Sequence, residues 1–331
     1  MSLPEKKAMR ELAYYEAKFE ALREILAADE RVHLMGGTFL SLNPHRAAFQ
    51  EIVKRYPDRV VSPPISELGF CGLATGAAMA GLRPIVDLST GSFIFEAWPQ
   101  VVNEAANAFY MSGGQTRAPV VFHLFHGIRG GGAAQHSASP QAMLWNCPGL
   151  EIVLPSSPRD VKGLLKTAAS SENPTIFVDH VLLLETRGPV PENDEAIPFG
   201  VADVKRPGSD VTVIATSYMV QRCLKVAERL ASEGIEVEVV DPRTLVPLDF
   251  STLLASVEKT HRVVIVDETH QSCGVAAELA ARIAEEGFDK LKAPIRRVAT
   301  LDVPVPFSEP LEEFISPSEA RIAHAIRSVL R

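Results

Sequence analysis

Short runs of β-branched residues alternate with longer helical stretches along the whole chain, the pattern of parallel strands joined by crossover helices. The first half predicts strands at Val32–Met35, Ile85–Leu88, Val120–His123, Ile152–Leu154 and Thr175–Val178, with helices near Glu67–Ala80, Phe93–Tyr110 and Pro158–Ala169. Val120-Val121-Phe122 is continuously apolar, as expected of a parallel strand covered on both faces. A second such pattern follows Thr186–Pro198, a segment with three prolines, three acidic residues and no periodicity that reads as a linker. Its strands are expected at Val211–Ala215, Glu236–Val240, Arg262–Val266 and Ile295–Ala299. Its helices are expected near Met219–Ser232, Leu248–Val257, Val275–Glu286 and Ser318–Leu330. The expected fold is therefore α/β in two domains, each a mostly parallel sheet covered by helices: residues 1–185, a linker at 186–198, and residues 199–331.

Composition narrows the function. The 331 residues carry 41 Asp and Glu against 33 Lys and Arg, a formal charge of −8. No basic cluster is longer than Lys6-Lys7 or Arg296-Arg297, so nucleic acid is not an expected partner. Apolar runs such as Val181–Leu184 and Val263–Val266 fall far short of the roughly 20 residues of a membrane helix. Residues 1–30, rich in Glu, Lys and Ala, lack a signal-peptide pattern and read as mature cytoplasmic sequence. Cys71, Cys147, Cys223 and Cys273 are widely spaced, without CxxC, and are expected to be buried reduced thiols.

Common catalytic motifs are absent: there is no GxxxxGK[ST], HExxH or GxSxG. Gly127–Gly132, GIRGGG, follows a strand but lacks the GxGxxG spacing, so it reads as a turn that lets backbone approach closely. Two stretches carry more. Glu67 sits where the proline-stiffened Pro63-Pro64-Ile65-Ser66 turns into a helix of small residues, and there it reads either as a helix-start acid or as a working carboxylate. His136 follows the glycine-rich loop and precedes Ser137 and Ser139, and it reads either as a capping-region histidine or as a catalyst.

PISELGFCGLATGAAMAGLRPIVD, QVVNEAANAFYMSGGQ, GGGAAQHSASPQA, CPGLEIVLPSSPRDVKGLLKTA, VVDPRTLVPLD and LDVPVPFSEPLEE together resemble the β subunit of the thiamine-diphosphate-dependent E1 component of 2-oxo acid dehydrogenase complexes. The blocks cover nearly the whole chain in the family's order. The resemblance implies a pyrimidine-binding domain followed by a transketolase-type C-terminal domain, and an enzyme subunit that decarboxylates a 2-oxo acid and passes the acyl group to a lipoyl acyltransferase, E2. It implies that Glu67 hydrogen-bonds the cofactor's aminopyrimidine, that Phe93 and Ile65 pack against that ring, and that His136 faces the reacting centre. No Gly-Asp-Gly occurs in the chain. The resemblance therefore also implies that an α-type subunit in an α2β2 assembly holds the diphosphate and Mg²⁺, leaving no metal ligand here.

The chain also departs from that pattern. Gly37 stands where the family carries a glutamate. His123 replaces an arginine and His126 is added, which reads either as loop variation or as a rebuilt substrate pocket with His123, His126 and His136 converging. Ser89, in a polar stretch lacking the family's bulky aromatics, would widen that pocket. Of the family's potassium position Asn173 remains, while Ser171 stands in place of an acid. Asp267-Glu268-Thr269-His270 reads either as a solvated loop or as a partner interface. These departures keep two rivals open: a thiamine-dependent carboligase or split transketolase subunit, and a catalytically silent assembly subunit.

Overall fold

The computed structural model describes residues 9–36, 46–192 and 195–331; Gly37 lies outside them. In the first half the strands are β1 (Met9–Ala13), β2 (Val32–Met35), β3 (Val60–Val61), β4 (Arg83–Thr90), β5 (Val121–His126), β6 (Glu151–Val153), β7 (Thr175–His180) and β8 (Arg187–Pro191). The second half holds β9 (Asp203–Arg206), β10 (Val211–Ala215), β11 (Val237–Asp241), β12 (Thr244–Val246), β13 (Val263–His270) and β14 (Arg296–Thr300). The first helices are α1 (Tyr14–Ala28), α2 (Arg46–Arg55), α3 (Glu67–Met79), α4 (Ala108–Met111), α5 (Gln141–Trp145) and α6 (Pro158–Ser170). They are followed by α7 (Tyr218–Ala231), α8 (Phe250–Thr260), α9 (Val275–Gly287), α10 (Glu309–Ile315) and α11 (Glu319–Leu330).

A seven-stranded sheet runs in the order β12-β6-β7-β5-β4-β2-β3, parallel except for β12. A five-stranded sheet runs β14-β13-β10-β11-β9, parallel except for β9. The α/β expectation is met, with three local differences. The segment expected as an unstructured linker opens with β8, which pairs antiparallel with β1. The helix expected over Phe93–Tyr110 is broken into a 3₁₀ turn at Gly91–Phe95, a π-helical stretch at Pro99–Ala105 and the short α4. The break includes Pro99, which removes a helical donor. Finally, β12 comes from the second half of the chain yet completes the first sheet.

Two faces cover each sheet. On one side of the large sheet, Val121, Phe125 and Phe177 pack under α1 and α6. On the other side, Phe122, Leu124 and Val178 share one continuous core with Ile214, Val240 and Ile265 of the second sheet. α7 and α11 close the far side of that second sheet. No described helix is long and apolar enough to cross a membrane.

α1 presents Tyr14, Ala17, Leu22 and Ile25 to the sheet at helical spacing, and Lys18 sits on that same buried face. Its ammonium is compensated by Asp179 at 2.7 Å and contacts His123 Nε2 at 2.7 Å, while Tyr14 Oη donates to Asp179. Burial alone would raise the Asp179 carboxyl, but the charge of Lys18 and the contact with His123 hold it well below the usual carboxylate range. Removing one partner of a buried ion pair typically costs about 3–5 kcal/mol. Lys18→Met is therefore expected to lower stability by that order in urea denaturation at pH 7. A depressed carboxyl stabilises the fold above its unfolded value and loses that contribution as acid protonates it. The wild-type chain should accordingly lose more stability than the variant as pH falls below about 4. Equal curves for the two proteins would remove this pair from the fold's supports.

Candidate active site

Three chain segments leave the carboxyl ends of parallel strands of the large sheet, where open α/β sheets place their ligands. The first follows β3. Pro63 and Pro64 keep it extended up to Ser66, whose Oγ caps α3 by accepting from Gly69 N at 3.3 Å. Small residues then let α3 lie against the π-helical stretch: a Cβ at Gly72 would stand 3.2 Å from the Gln100 side chain. Glu67 occupies the first turn, half-buried, and its carboxylate has no hydrogen-bond partner among the described residues. Ile65, just ahead, is 95% exposed.

The other two segments meet. The turn Gly91–Phe95 follows β4, and the loop 127–139 follows β5. Thr90 Oγ1 donates to the His136 carbonyl at 3.1 Å, and Ser92 Oγ donates to the Gln135 carbonyl. A Cβ at Gly91 would lie 2.7 Å from the Ala138 carbonyl, so glycine permits the approach. The rings of Phe93 and His136 consequently sit edge to face, 5.6 Å apart. Phe93 is half-buried and His136 exposed. Strand order thus brings Ile65, Glu67, Phe93 and His136 to one edge of the sheet, although no hydrogen bond joins Glu67 to the aromatic pair.

His123 and His126 do not converge with His136. Both lie on β5, three residues apart, and alternate side chains of a strand point to opposite faces. His123 is buried under α1, with Nδ1 3.0 Å from Asp87 Oδ1 and Nε2 2.9 Å from Asp179. Ser89, at a positive φ of 67°, reaches the same carboxylate, its N–H donating to Asp87 Oδ1 at 3.0 Å. Of the residues expected to line a pocket, only Ser89 and His123 therefore meet, through Asp87. His126 lies on the opposite face, where its ring nitrogens reach Ser139 Oγ at 3.1 Å and Ser217 Oγ at 3.0 Å.

Behind His126 lies a buried polar junction between the two halves of the chain. His180 packs against His126 at 5.0 Å and stacks on Tyr218 at 4.9 Å, with its Nε2 3.0 Å from Glu268. Burial opposes the charge on Glu268, but His180 and the N–H of Ile128, 2.8 Å away, hold its carboxyl down to about 2. Burial, then the charge of His180, pushes His126 down to about 3. Gly127, at φ +88°, is obligatory here because a Cβ would stand 2.2 Å from His180 Nε2. The expectation for Asp267–His270 is corrected: these residues belong to β13 and Asp267, Glu268 and Thr269 are buried, so they form an internal seam rather than a solvated loop.

Other expected residues fall as follows. Asn173 Nδ2 and Ser171 Oγ both donate to the Glu151 carboxylate, at 3.1 and 2.7 Å. Cys71 and Cys223 are buried free thiols as expected, whereas Cys147 is half-buried and Cys273 exposed. Sequence reasoning missed Asp87, His180 and Ser217. His180 ends β7, which was read only to Val178; Asp87 lies inside β4 and inside the strand read from the sequence, and Ser217 precedes the helix α7.

Comparison with known proteins now adds a frame. Residues 10–186 match the transketolase pyrimidine-binding domain family and residues 200–322 the transketolase C-terminal domain family. The chain is 42% identical over 315 residues to the pyruvate dehydrogenase E1 component subunit beta of Rickettsia felis, covering 95% of this chain and 97% of that one. It is 40% identical over 329 residues to the mitochondrial counterpart of Drosophila melanogaster, covering 98% and 90%. It is 43% identical over 277 residues to the acetoin:2,6-dichlorophenolindophenol oxidoreductase subunit beta of Cupriavidus necator, covering 84% and 82%. A solved structure titled as a split-gene transketolase, inactive beta4 tetramer, superposes with a TM-score of 0.76 at 24% identity, covering 96% of this chain and 98% of that one. That likeness speaks to the fold.

A histidine kept neutral by burial binds a proton only on unfolding, so it stabilises the fold above its unfolded value and loses that contribution as acid is added. For His126 the window runs from about 6.5, the ordinary histidine value, down to about 3. His126→Gln keeps amide groups for Ser139 and Ser217 but does not titrate. Across that window the variant's stability should fall less steeply, by up to about 1.4 kcal/mol per pH unit. Superimposable slopes in denaturant titrations at several pH values would show that His126 is already protonated in the fold.

Proposed function

Since the chain belongs to the transketolase-like family of E1 β subunits of 2-oxo acid dehydrogenases, we propose that it supplies the pyrimidine side of a thiamine diphosphate site for a pyruvate-, branched-chain- or acetoin-type enzyme. The division into a pyrimidine-binding domain over 1–185, a connection at 186–198 and a C-terminal domain over 199–331 is part of the same proposal. The observation that carries it is Glu67: a half-buried carboxylate without a partner among the described residues, in the first turn of a helix, on the sheet edge that also bears Ile65, Phe93 and His136. A folded chain normally pairs such a group.

The residues present fit the aminopyrimidine half of the cofactor. Glu67 offers a carboxyl to a ring nitrogen, Ile65 an uncovered apolar side chain, and Phe93 a half-open aromatic ring. When bound, thiamine diphosphate supplies the nucleophilic carbon and the electron sink for decarboxylating a 2-oxo acid. Glu67 shares a proton with the pyrimidine ring and so sets which ring tautomer is present. His136, exposed at the end of its loop, exchanges a proton with the substrate or the acyl acceptor. Phe93 and His136 hold each other's orientation at the rim.

The other half of the site belongs to a partner. With no Gly-Asp-Gly in the sequence, the diphosphate and Mg²⁺ fall to an α-type subunit, in an α2β2 assembly. An apolar surface suits that role: Leu68 and Leu73 of α3 and Phe109, Tyr110 and Met111 of α4 are all exposed, and such surface marks contact with another chain. Acyl transfer to a lipoyl E2 completes the reading.

Two tests follow. In the assembled complex, Glu67→Gln should leave assembly intact yet slow hydrogen–deuterium exchange at C2 of the cofactor and turnover, by about 10²–10⁴-fold; unchanged exchange would make Glu67 a helix-start residue only. His136→Ala should lower turnover for every accepted oxo acid in a panel of straight, branched, aromatic and acidic substrates with an artificial electron acceptor. His123→Ala and His126→Ala, which remove buried groups, should instead lower thermal stability; a changed substrate range at unchanged stability would restore the pocket reading.

A further inference from the structure

The loop that carries His136 also carries a cation without an acid. Arg129 follows Ile128 after β5 and is half-buried. Its guanidinium donates to Thr90 Oγ1 at 3.3 Å and forms no ion pair among the described residues. Burial pushes its pKa below the ordinary arginine value, and no neighbouring acid raises it again. Glu268 and Glu312, the acids that hold this loop, accept instead from the backbone N–H groups of Ile128 and Gly131. A charge taken even partly out of water is normally paired.

A second polar group beside it is unpaired as well. Ser137 is 3% exposed, and its Oγ has no hydrogen-bond partner among the described residues. Ser137 and Arg129 flank the same glycine: a Cβ at Gly132 would stand 2.5 Å from Ser137 Oγ and 3.5 Å from Arg129 Cγ. Thr90 ties this corner to the site, since its hydroxyl accepts from Arg129 and donates to the His136 carbonyl, 3.1 Å away. A guanidinium and a hydroxyl are the donors a carboxylate takes. In this corner the fold uses the hydroxyl not at all and the guanidinium for one long hydrogen bond.

The chemistry decides which carboxylate. In decarboxylation of a 2-oxo acid, the carboxylate beside the carbonyl leaves as CO₂. An ion pair to it would stabilise the ground state more than the transition state and so slow the step. A carboxylate at the far end of the substrate persists through the reaction, and holding it costs no rate. In a step that rests on the E1 reading above, we propose that Arg129 and Ser137 bind a second, terminal carboxylate of the substrate, so that the preferred 2-oxo acid is a dicarboxylic one. The competing explanations are that Arg129 only pins Thr90, or that it meets a carboxylate of the α-type subunit.

The experiment compares 2-oxoglutarate with 2-oxopentanoate, which has a methyl group in place of the terminal carboxylate, in the complex assembled with its α-type subunit and with an artificial electron acceptor. The wild-type complex is expected to favour 2-oxoglutarate in kcat/KM. Arg129→Met should cut that preference by roughly tenfold or more, chiefly through KM, because it removes a contact made equally in ground and transition states. Arg129→Lys, which keeps the charge, should retain part of the preference. Ser137→Ala should lose a smaller share without lowering the melting temperature, since an unpaired buried hydroxyl does not support the fold. A wild-type complex without the preference, or a preference unchanged in Arg129→Met, would overturn the assignment and leave the E1 reading in place. Loss of assembly in Arg129→Met would overturn it in favour of a carboxylate on the α-type subunit. A wild-type complex that neither exchanges the cofactor's C2 hydrogen nor turns over any oxo acid would bring down the E1 reading, and this assignment with it.

Discussion

β5 is covered on both faces, and much of the molecule is arranged around that fact. All six of its residues are buried, so each polar side chain it carries needs a partner inside the protein, because an unpaired buried polar group costs about 1–3 kcal/mol. His123 obliges α1 to bring Lys18 and Tyr14 to the sheet and obliges β4 and β7 to supply Asp87 and Asp179. His126, pointing the other way, obliges the second domain to supply Ser217. One strand therefore dictates the polarity of both layers packed on it.

The second half of the chain holds the loop that carries His136 from behind. The loop after β5 has its backbone fixed at Ile128 by Glu268 and at Gly131 by Glu312, which accepts at 3.1 Å. Both acceptors come from the C-terminal half, so the position of His136 depends on contacts made more than a hundred residues away in sequence. A second seam repeats the device with charge. Asp160 of α6 meets Lys205 at 2.5 Å and Arg243 at 2.8 Å, and Asp241 accepts from Ser156 at 2.5 Å. Burial and the neighbouring Asp160 push Asp241 up to about 6. With β12 completing the first sheet and an apolar core shared between the sheets, the two halves are joined as one packed unit.

The strands of both sheets were largely legible in the sequence, because the apolar runs that form them are short, β-branched and separated by helical periodicity. Glu67 was legible as a helix-start acid because two prolines and Ser66 announce the turn. What could not be read was long-range pairing: β8 hides in a proline-rich acidic segment, and only β1, some 176 residues away, makes it a strand. The histidines were misplaced by three residues of strand. Ending β5 at His123 left His126 in a loop, free to join His136, whereas extending the strand to His126 forces the two onto opposite faces by simple alternation. The signal was present in Val121–His126, but its polar members, His123 and His126, masked a run that burial on both sides would otherwise make apolar.

The contrast between paired and unpaired groups separates structure from function here. Lys18, Asp179, His126 and Glu268 are each buried and engaged within the chain, and substituting them acts on stability. Glu67, Ile65 and His136 lie at the carboxyl edge, half-buried or exposed, and Glu67 has no partner among the described residues. Glu67 opens α3, and the same helix exposes Leu68 and Leu73. On the proposed reading, the helix that offers a carboxyl to the cofactor is then also a helix that meets the partner chain. Assembly would remove water from the apolar face and from beside the carboxylate in one event, strengthening the Glu67 hydrogen bond as the local dielectric falls. Cofactor capture and subunit association would then be linked reciprocally, each raising the affinity of the other.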